Sequence, residues 1–260
     1  MTALPRPSLC RVLAVLFAVE TTTAAGASLW TGTSGGLHVT ISEKDVVVSD
    51  SKGTRKFPLS FSSDTKSDDS DVDSYSESYE PLSLVGPYLS LECESSESAS
   101  GAAHVSSVRD FVTVDLRDPN RLGSSRRPPG SQTRVALTRW FTEEQLVSAL
   151  KKDSFVSQQL RLPRAGMDSL KALADAFSIL NNCRFSLGDG SMSSFAFYGL
   201  EVHSQVAVRV GLTNSCIVGD EFKQLGLLLQ VPPGLETDLK AAATGRQGFL
   251  MKDSRRLFGR

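Results

Sequence analysis

The segment that looks most like a catalytic motif is Gly32-Thr33-Ser34-Gly35-Gly36, which matches the Gly-x-Ser-x-Gly pattern of a serine hydrolase elbow. In that elbow the serine lies on a sharp turn between a strand and a helix, where its hydroxyl can attack a substrate. Here the alternating pattern of a strand follows the motif instead of preceding it. We therefore interpret these five residues as a flexible linker.

A second motif copies the ligand spacing of an EF-hand calcium loop. Its carboxylates are Asp69, Asp71, Asp73, Glu77 and Glu80. Ser74 stands where the loop requires a glycine, and Pro81 opposes the helix that should follow. We expect a disordered acidic loop over residues 61–80, and weak attraction for calcium is the alternative.

The three histidines, His38, His104 and His203, show no zinc-like spacing with cysteines or carboxylates. The alternation around His38 and His203 predicts that each lies on the polar side of a strand. His104 follows a run of small residues, which favours a structural hydrogen bond. The sequence thus predicts no catalytic residue, no metal site and no cofactor.

The amino terminus has the three parts of a secretory signal peptide. Arg6 and Arg11 provide positive charge, an apolar run covers residues 12–19, and Ala25-Gly26-Ala27 provides a small-residue cleavage site. The apolar run is too short to cross a hydrocarbon core, which needs about 20 residues, so an uncleaved membrane anchor is only the alternative interpretation. We predict that residues 1–27 are removed and that the protein is periplasmic or secreted, without a stable membrane anchor.

Three cysteines remain after this cleavage, because Cys10 leaves with the signal peptide. Cys93 shares the apolar face of a strand with two leucines, whereas Cys183 and Cys216 lie in polar surroundings. In an oxidising compartment an odd number of cysteines leaves one thiol unpaired or linked to another chain. We predict a Cys183–Cys216 disulfide and a free, buried Cys93.

The charged residues are balanced but segregated along the chain. Lys and Arg number 28 and Asp and Glu 29, which gives a net charge of −1 and no indication of a nucleic-acid partner. The acidic segment 61–80 is followed by a basic segment, residues 117–134, that contains Pro128-Pro129-Gly130. Neither segment has enough apolar residues to pack, so both are predicted to be solvated loops.

Alternation of apolar residues predicts strands in two parts of the chain. The first is a small meander over residues 28–60, and the second belongs to a main domain over residues 81–251, followed by a basic tail, residues 252–260. The strand faces of the main domain are Leu89/Leu91/Cys93, Val112/Val114/Leu116, Phe195/Phe197, the even positions from Val206 to Leu212, and the odd positions from Leu225 to Val231.

Three helices are predicted between and after these strands. Thr142 and Gln145 form a capping box that begins the first helix. The second contains Leu170, Leu173, Phe177 and Leu180, and a short third helix follows Pro232-Pro233. Strand clusters separated by helices predict an α+β fold with a largely antiparallel sheet and a few helices packed on it.

Several segments occur in the order of a known family. They are Tyr88-Leu89-Ser90-Leu91, Gly101-Ala102-Ala103-His104, Phe111 to Leu116, Leu137 to Phe141, Val206 to Leu212, Cys216, Gln224 to Leu227, and Val231-Pro232. From Tyr79 to about Met251 the chain resembles a family of exported bacterial domains of unknown function. That family is related to the extracytoplasmic domain of a lysozyme-sensing anti-sigma factor. The chain differs in having Ala102 for a turn glycine and an apparent insertion from Arg117 to Arg134.

The resemblance implies an α+β, non-catalytic binding or sensing domain. It also implies that Gly101 and His104 belong to a structural turn, in which the imidazole makes a fixed hydrogen bond. Lysozyme is not transferred as the ligand, because no interface motif matches. We expect an exported domain that binds a protein or a cell-envelope component; the alternative is a secreted hydrolase with an unrecognised active site.

Overall fold

A computed structural model describes residues 28–64, 74–98, 106–118, 134–160, 167–181, 184–187, 192–212 and 222–257. Within these ranges the chain forms three antiparallel sheets, together with α-helices. This is the α+β architecture expected from the sequence. Among the described residues, no helix is both long enough and apolar enough to span a lipid bilayer.

The first sheet is an antiparallel meander of β1 (Ser28–Ser34), β2 (Leu37–Ser42), β3 (Asp45–Asp50) and β4 (Gly53–Pro58). Leu37, Val39 and Ile41 are buried, as their alternation predicted, and His38 between them is exposed. The meander expected over residues 28–60 is therefore present, with an additional strand at its start.

The interpretation of residues 32–36 as a flexible linker is wrong, because residues 28–34 form β1 and pair with β2. Gly35 and Gly36 make the turn between these strands with φ of 56° and 79°, a conformation that suits glycine. A side chain at Gly35 would also collide with the backbone of Gly86 and Pro87. The Ser34 hydroxyl is buried and donates a 2.7 Å hydrogen bond to the Gly86 carbonyl, so it serves packing.

The central sheet contains β5 (Ser60–Asp64), β6 (Ser74–Val85), β7 (Tyr88–Ser98) and β8 (Ser106–Asp115). The two apolar faces predicted for this region meet in register, with Leu89 opposite Val114 and Leu91 opposite Val112. The same face packs against the meander, and the two sheets share one hydrophobic core. The central sheet thus has one face covered by the meander and the other available to the rest of the chain.

The prediction of a loop over residues 61–80 is wrong at both ends of that range. Residues 60–64 pair with residues 74–78, so β5 and β6 form a hairpin. The reason is that Tyr75, Glu77 and Tyr79 alternate with serines. This alternation gives the strand one exposed face of serines and one buried face, on which Glu77 and Tyr79 lie. Asp69, Asp71 and Asp73 lie outside the described residues.

The third sheet consists of β9 (Phe195–Glu201), β10 (Gln205–Leu212) and β11 (Lys223–Gln230), all predicted from alternation. Buried hydrogen bonds join β9 to the free face of the central sheet. Thr113 donates to the Phe195 carbonyl over 2.6 Å, and the Phe197 N–H donates to the Ser83 hydroxyl over 3.3 Å. Polar residues inside this junction are therefore satisfied by hydrogen bonds between the two sheets.

Three helices, α1 (Glu143–Lys152), α2 (Ser154–Leu160) and α3 (Leu170–Leu180), share a hydrophobic core with the third sheet. The capping box of Thr142 and Gln145 is confirmed. The predicted second helix is confirmed as α3, which begins after Ser169 and ends at Asn181. α2, which begins directly after Asp153, was not expected from the sequence.

The predicted helix after Pro232-Pro233 is present as a 3₁₀ turn followed by α4 (Glu236–Ala243). Beyond it, β12 (Gly248–Phe249) pairs with the end of β6, and α5 (Met251–Leu257) follows. The expectation of a basic tail from residue 252 is therefore wrong, because α5 packs on β6 and β9 and buries Ser254. His203 lies in a 3₁₀ turn between β9 and β10, not in a strand as predicted.

Candidate functional site

An open groove of about 930 Å³ lies where the free face of the central sheet meets the helices and the start of β11. One wall comes from the polar face of β7 and β8, and the other comes from α2, the end of α3 with the residues that follow it, and the start of β11. The groove is lined by Glu94, Ser107, Arg109, Phe155, Gln159, Leu180, Asn181, Arg184, Phe185, Phe222 and Lys223.

Three aromatic rings form the apolar part of this lining. The centres of the Phe155 and Phe185 rings are 5.8 Å apart in an edge-to-face arrangement, and Phe222 packs in the same way on Phe111 at 5.1 Å. Such pairs stabilise aromatic side chains in fixed positions. The rings are thus a pre-formed surface that a ligand could contact.

Asn181, at the end of α3, holds the Phe185 segment in place. Its amide group donates to the Phe185 carbonyl over 3.0 Å and accepts from the Phe185 N–H over 3.2 Å. An asparagine at a helix terminus suits this role because its short amide side chain reaches nearby backbone groups. The helix end and the aromatic wall are therefore one unit.

Asp153 positions α2 in the same manner. One oxygen of its carboxylate accepts from the N–H groups of Phe155 and Val156 at 2.9 and 3.1 Å, at the start of α2. The other oxygen accepts from the Gly226 N–H of β11 at 2.9 Å. A single carboxylate thus caps the helix that carries Phe155 and ties it to the strand that begins with Lys223.

Cations lie over the rings of the groove. The Lys223 ammonium nitrogen is 4.8 Å from the centre of the Phe155 ring, and the Arg184 guanidinium carbon is 5.7 Å from the centre of the Phe185 ring. Both distances fall within the range of cation–π attraction. The wall built by α2, α3 and β11 is consequently both aromatic and positively charged.

Opposite this wall, Arg109 of β8 forms ion pairs with two carboxylates of β7. Its guanidinium is 3.3 Å from Glu92 and 3.8 Å from Glu94. Glu94 and Arg109 also line a second depression of about 740 Å³, which extends toward Tyr198, Arg209 and α5. The two depressions therefore lie on either side of the Glu94–Arg109 pair, which lines both.

Ser194 and Asp110 form a serine–carboxylate contact at the junction of β8 and β9. The Ser194 hydroxyl donates to Asp110 and accepts from the Phe111 N–H at 3.3 Å, and Arg134 also donates to Asp110. Ser194 is only 2% exposed. Because a nucleophile must reach its substrate, we interpret this contact as a junction between β8 and the start of β9.

A second buried cluster surrounds Cys93, which is free and lies on the apolar face as predicted. Glu77 accepts hydrogen bonds from Tyr75 and, at 2.6 Å, from Tyr79. Burial and the neighbouring Glu77 carboxylate raise the pKa of the Cys93 thiol to about 12. The thiol is consequently protonated near neutral pH and is a poor nucleophile.

Of the other residues singled out from the sequence, Ser34 and His38 are not part of the lining of the groove. Cys183, Cys216, Gly101 and His104 lie outside the described residues, so the disulfide and the turn remain predictions. Across the part of the chain that the structure describes, no group of three or more His, Cys, Asp or Glu side chains is arranged to hold a metal ion.

The groove itself was not found from the sequence. One local pattern in the sequence does indicate part of it. Asp153 directly after α1 is a typical helix-capping residue, and it predicts that a second helix, α2, begins there and carries Phe155. Nothing in the linear spacing of Arg109, Phe185 and Lys223 indicates that they converge.

Comparisons of the chain with protein-family models, curated proteins and solved structures gave no match in any of the three. The function is therefore inferred from the groove.

Proposed function

We propose that this chain is an exported, non-catalytic binding module that holds a protein or a cell-envelope component in the groove between β7–β8 and α2–α3. The observation that carries the proposal is the lining of the groove, where Phe155 and Phe185 are held by neighbouring rings and each lies beneath a cation. A volume of about 930 Å³ lies within the range of ligand sites.

The family resemblance supports the same function. A relative of an extracytoplasmic sensor domain is expected to bind a ligand outside the cytoplasm and to lack a catalytic centre. The leader at residues 1–27 supports export, because it has the charge, apolar run and cleavage site of a signal peptide.

The alternative, a secreted hydrolase, requires an accessible nucleophile next to a base. The Ser194–Asp110 contact does not favour it, since Ser194 is buried. Cys93 does not favour it either, since burial keeps its thiol protonated.

The test uses the purified mature protein in two parallel assays. The first screens ester, peptide and glycan substrates for turnover, and we expect none. The second compares immobilised wild type, Lys223→Glu and Lys52→Glu for retention of secreted proteins and of cell-envelope material. Lys52 is an exposed lysine in the turn between β3 and β4, far from the lining of the groove, and is the matched control.

We expect retention by wild type and Lys52→Glu and reduced retention by Lys223→Glu. Turnover that one polar substitution abolishes would contradict the binding role, and equal retention by all three proteins would contradict the groove as its site.

A further inference from the structure

We propose that the groove binds an acidic protein segment that also carries apolar side chains. This inference rests on the proposed function and specifies the ligand class of the same site. It commits to a polypeptide ligand and against an anionic glycan.

The charges of the lining point to an acidic partner. The groove is lined by three cations, Arg109, Arg184 and Lys223, and by one carboxylate, Glu94. Arg109 is paired with Glu92 and Glu94, so the positive charge of the groove comes from the wall that carries Arg184 and Lys223. The Lys223 ammonium lies over the Phe155 ring, so a ligand carboxylate that pairs with Lys223 would also lie near that ring. The excess of positive charge is local, because the whole chain has a net charge of −1. Complementary charge of this kind selects partners and accelerates their association.

The apolar part of the lining points to side chains instead of sugars. Leu180, the last residue of α3, lines the groove together with Phe155 and is 37% exposed. These apolar groups offer burial to leucine-like or phenylalanine-like side chains, which contribute free energy in proportion to the apolar area removed from water. A polyanionic glycan has no such groups to bury.

The shape of the surface indicates an extended ligand with charge at one end. The second depression, which shares Glu94 and Arg109 with the groove, is lined by charges of both signs. Glu80 and Glu92 are negative there, and Arg209 and Lys252 are positive. Acidic residues of the ligand should therefore lie in the groove near Lys223, and less charged residues should lie toward Arg209. A single small anion would not use this length.

The probe is a short fluorescein-labelled peptide of alternating glutamate and leucine, and its binding is followed by fluorescence anisotropy. Three comparison ligands isolate the contributions: a lysine–leucine peptide reverses the charge, a glutamate–serine peptide removes the apolar side chains, and polygalacturonate is an anionic glycan. The proteins are wild type, Lys223→Glu, Lys223→Arg, Leu180→Ser and the Lys52→Glu control, and thermal unfolding checks that each is folded.

We expect the glutamate–leucine peptide to bind wild type, Lys223→Arg and Lys52→Glu alike, with affinity that falls as salt is added. Lys223→Glu should weaken binding by about tenfold or more, because a favourable charge contact becomes repulsive. Leu180→Ser should weaken binding of the glutamate–leucine peptide but not of the glutamate–serine peptide.

Three results would overturn the inference. They are equal binding of the lysine–leucine peptide, binding that Lys223→Glu leaves unchanged in the folded protein, and polygalacturonate binding more tightly than the peptide. The glutamate–leucine peptide could fail to bind while Lys223→Glu still reduces the retention of secreted proteins or cell-envelope material. In that case the groove remains the binding site and only the proposed ligand class is wrong.

Discussion

At the residue scale, Cys93 shows how surroundings set reactivity. Burial together with the Glu77 carboxylate raises the pKa of its thiol to about 12, from a reference value of 9.0. At pH 8 the thiolate fraction is therefore about a thousandfold smaller than for an exposed cysteine. We expect iodoacetamide to modify Cys93 far more slowly in the native protein than in urea, as measured by peptide mapping. Equal rates in both states would mean that the thiol is accessible and the described burial is wrong.

Asp115 makes a pH-dependent contribution to stability. Burial alone would raise the pKa of its carboxyl, but hydrogen bonds from Arg117 and the charge of that guanidinium outweigh burial and lower the pKa. A carboxyl with a lowered pKa stabilises the fold above the pKa of the unfolded state, about 3.9, and loses that contribution as the pH falls through its folded pKa.

We expect Asp115→Asn to lower the free energy of unfolding by about 1 kcal/mol at pH 7, a modest value because Arg117 is half exposed. At pH 3 the difference from wild type should be smaller, as measured by urea titration. Asp175→Asn, in an exposed pair with Lys171, is the control and should change little at either pH. An Asp115→Asn effect of the same size at both pH values would show that the charge is not responsible.

At the element scale, the helices and strands can be predicted from the local sequence, whereas the groove cannot. Thr142 and Gln145 lie three residues apart, so the start of α1 can be read directly from the sequence. The end of the acidic segment was misassigned because Tyr75 and Tyr79, not the charges around them, decide whether residues 74–80 form a strand. The lining of the groove combines residues from β7 to β11, and the contacts that bring them together are tertiary.

Asp153 connects the start of α2 to β11, two elements that line the groove. Asp153→Ala removes acceptors from the N–H groups of Phe155, Val156 and Gly226. Losing a helix cap and leaving a strand N–H unpaired should cost about 1–3 kcal/mol of unfolding free energy in urea titration. Asp168→Ala, which removes an exposed carboxylate paired with Lys151, should cost within about 0.5 kcal/mol. If both variants match wild type, the tie between α2 and β11 does not support the fold.

At the scale of the whole molecule, three layers position the groove. The meander covers one face of the central sheet, and the third sheet with its helices covers part of the other. The polar ends of β7 and β8 extend beyond that cover, and the groove forms there. The meander therefore supports the central sheet from the side opposite to the proposed ligand.

The proposed export concerns the whole chain and has its own test. Because residues 1–27 have the parts of a signal peptide, the mature protein should begin at Ser28, which is also the first residue of β1. Intact mass spectrometry of the protein recovered from the periplasm or medium measures this directly. A mature chain that still contains residues 12–19 would refute the cleavage.

If the groove binds a ligand in cells, a photoreactive side chain placed in its lining should crosslink to that ligand. Benzoylphenylalanine is placed at Gln159, which lines the groove, and separately at Lys52 in the meander as the control. The benzophenone inserts into C–H bonds of proteins and glycans alike, so the result does not depend on the ligand's identity. In cells that produce the protein, we expect light-dependent adducts from position 159 and none from position 52. No adduct at 159, or equal adducts at both positions, would contradict the account.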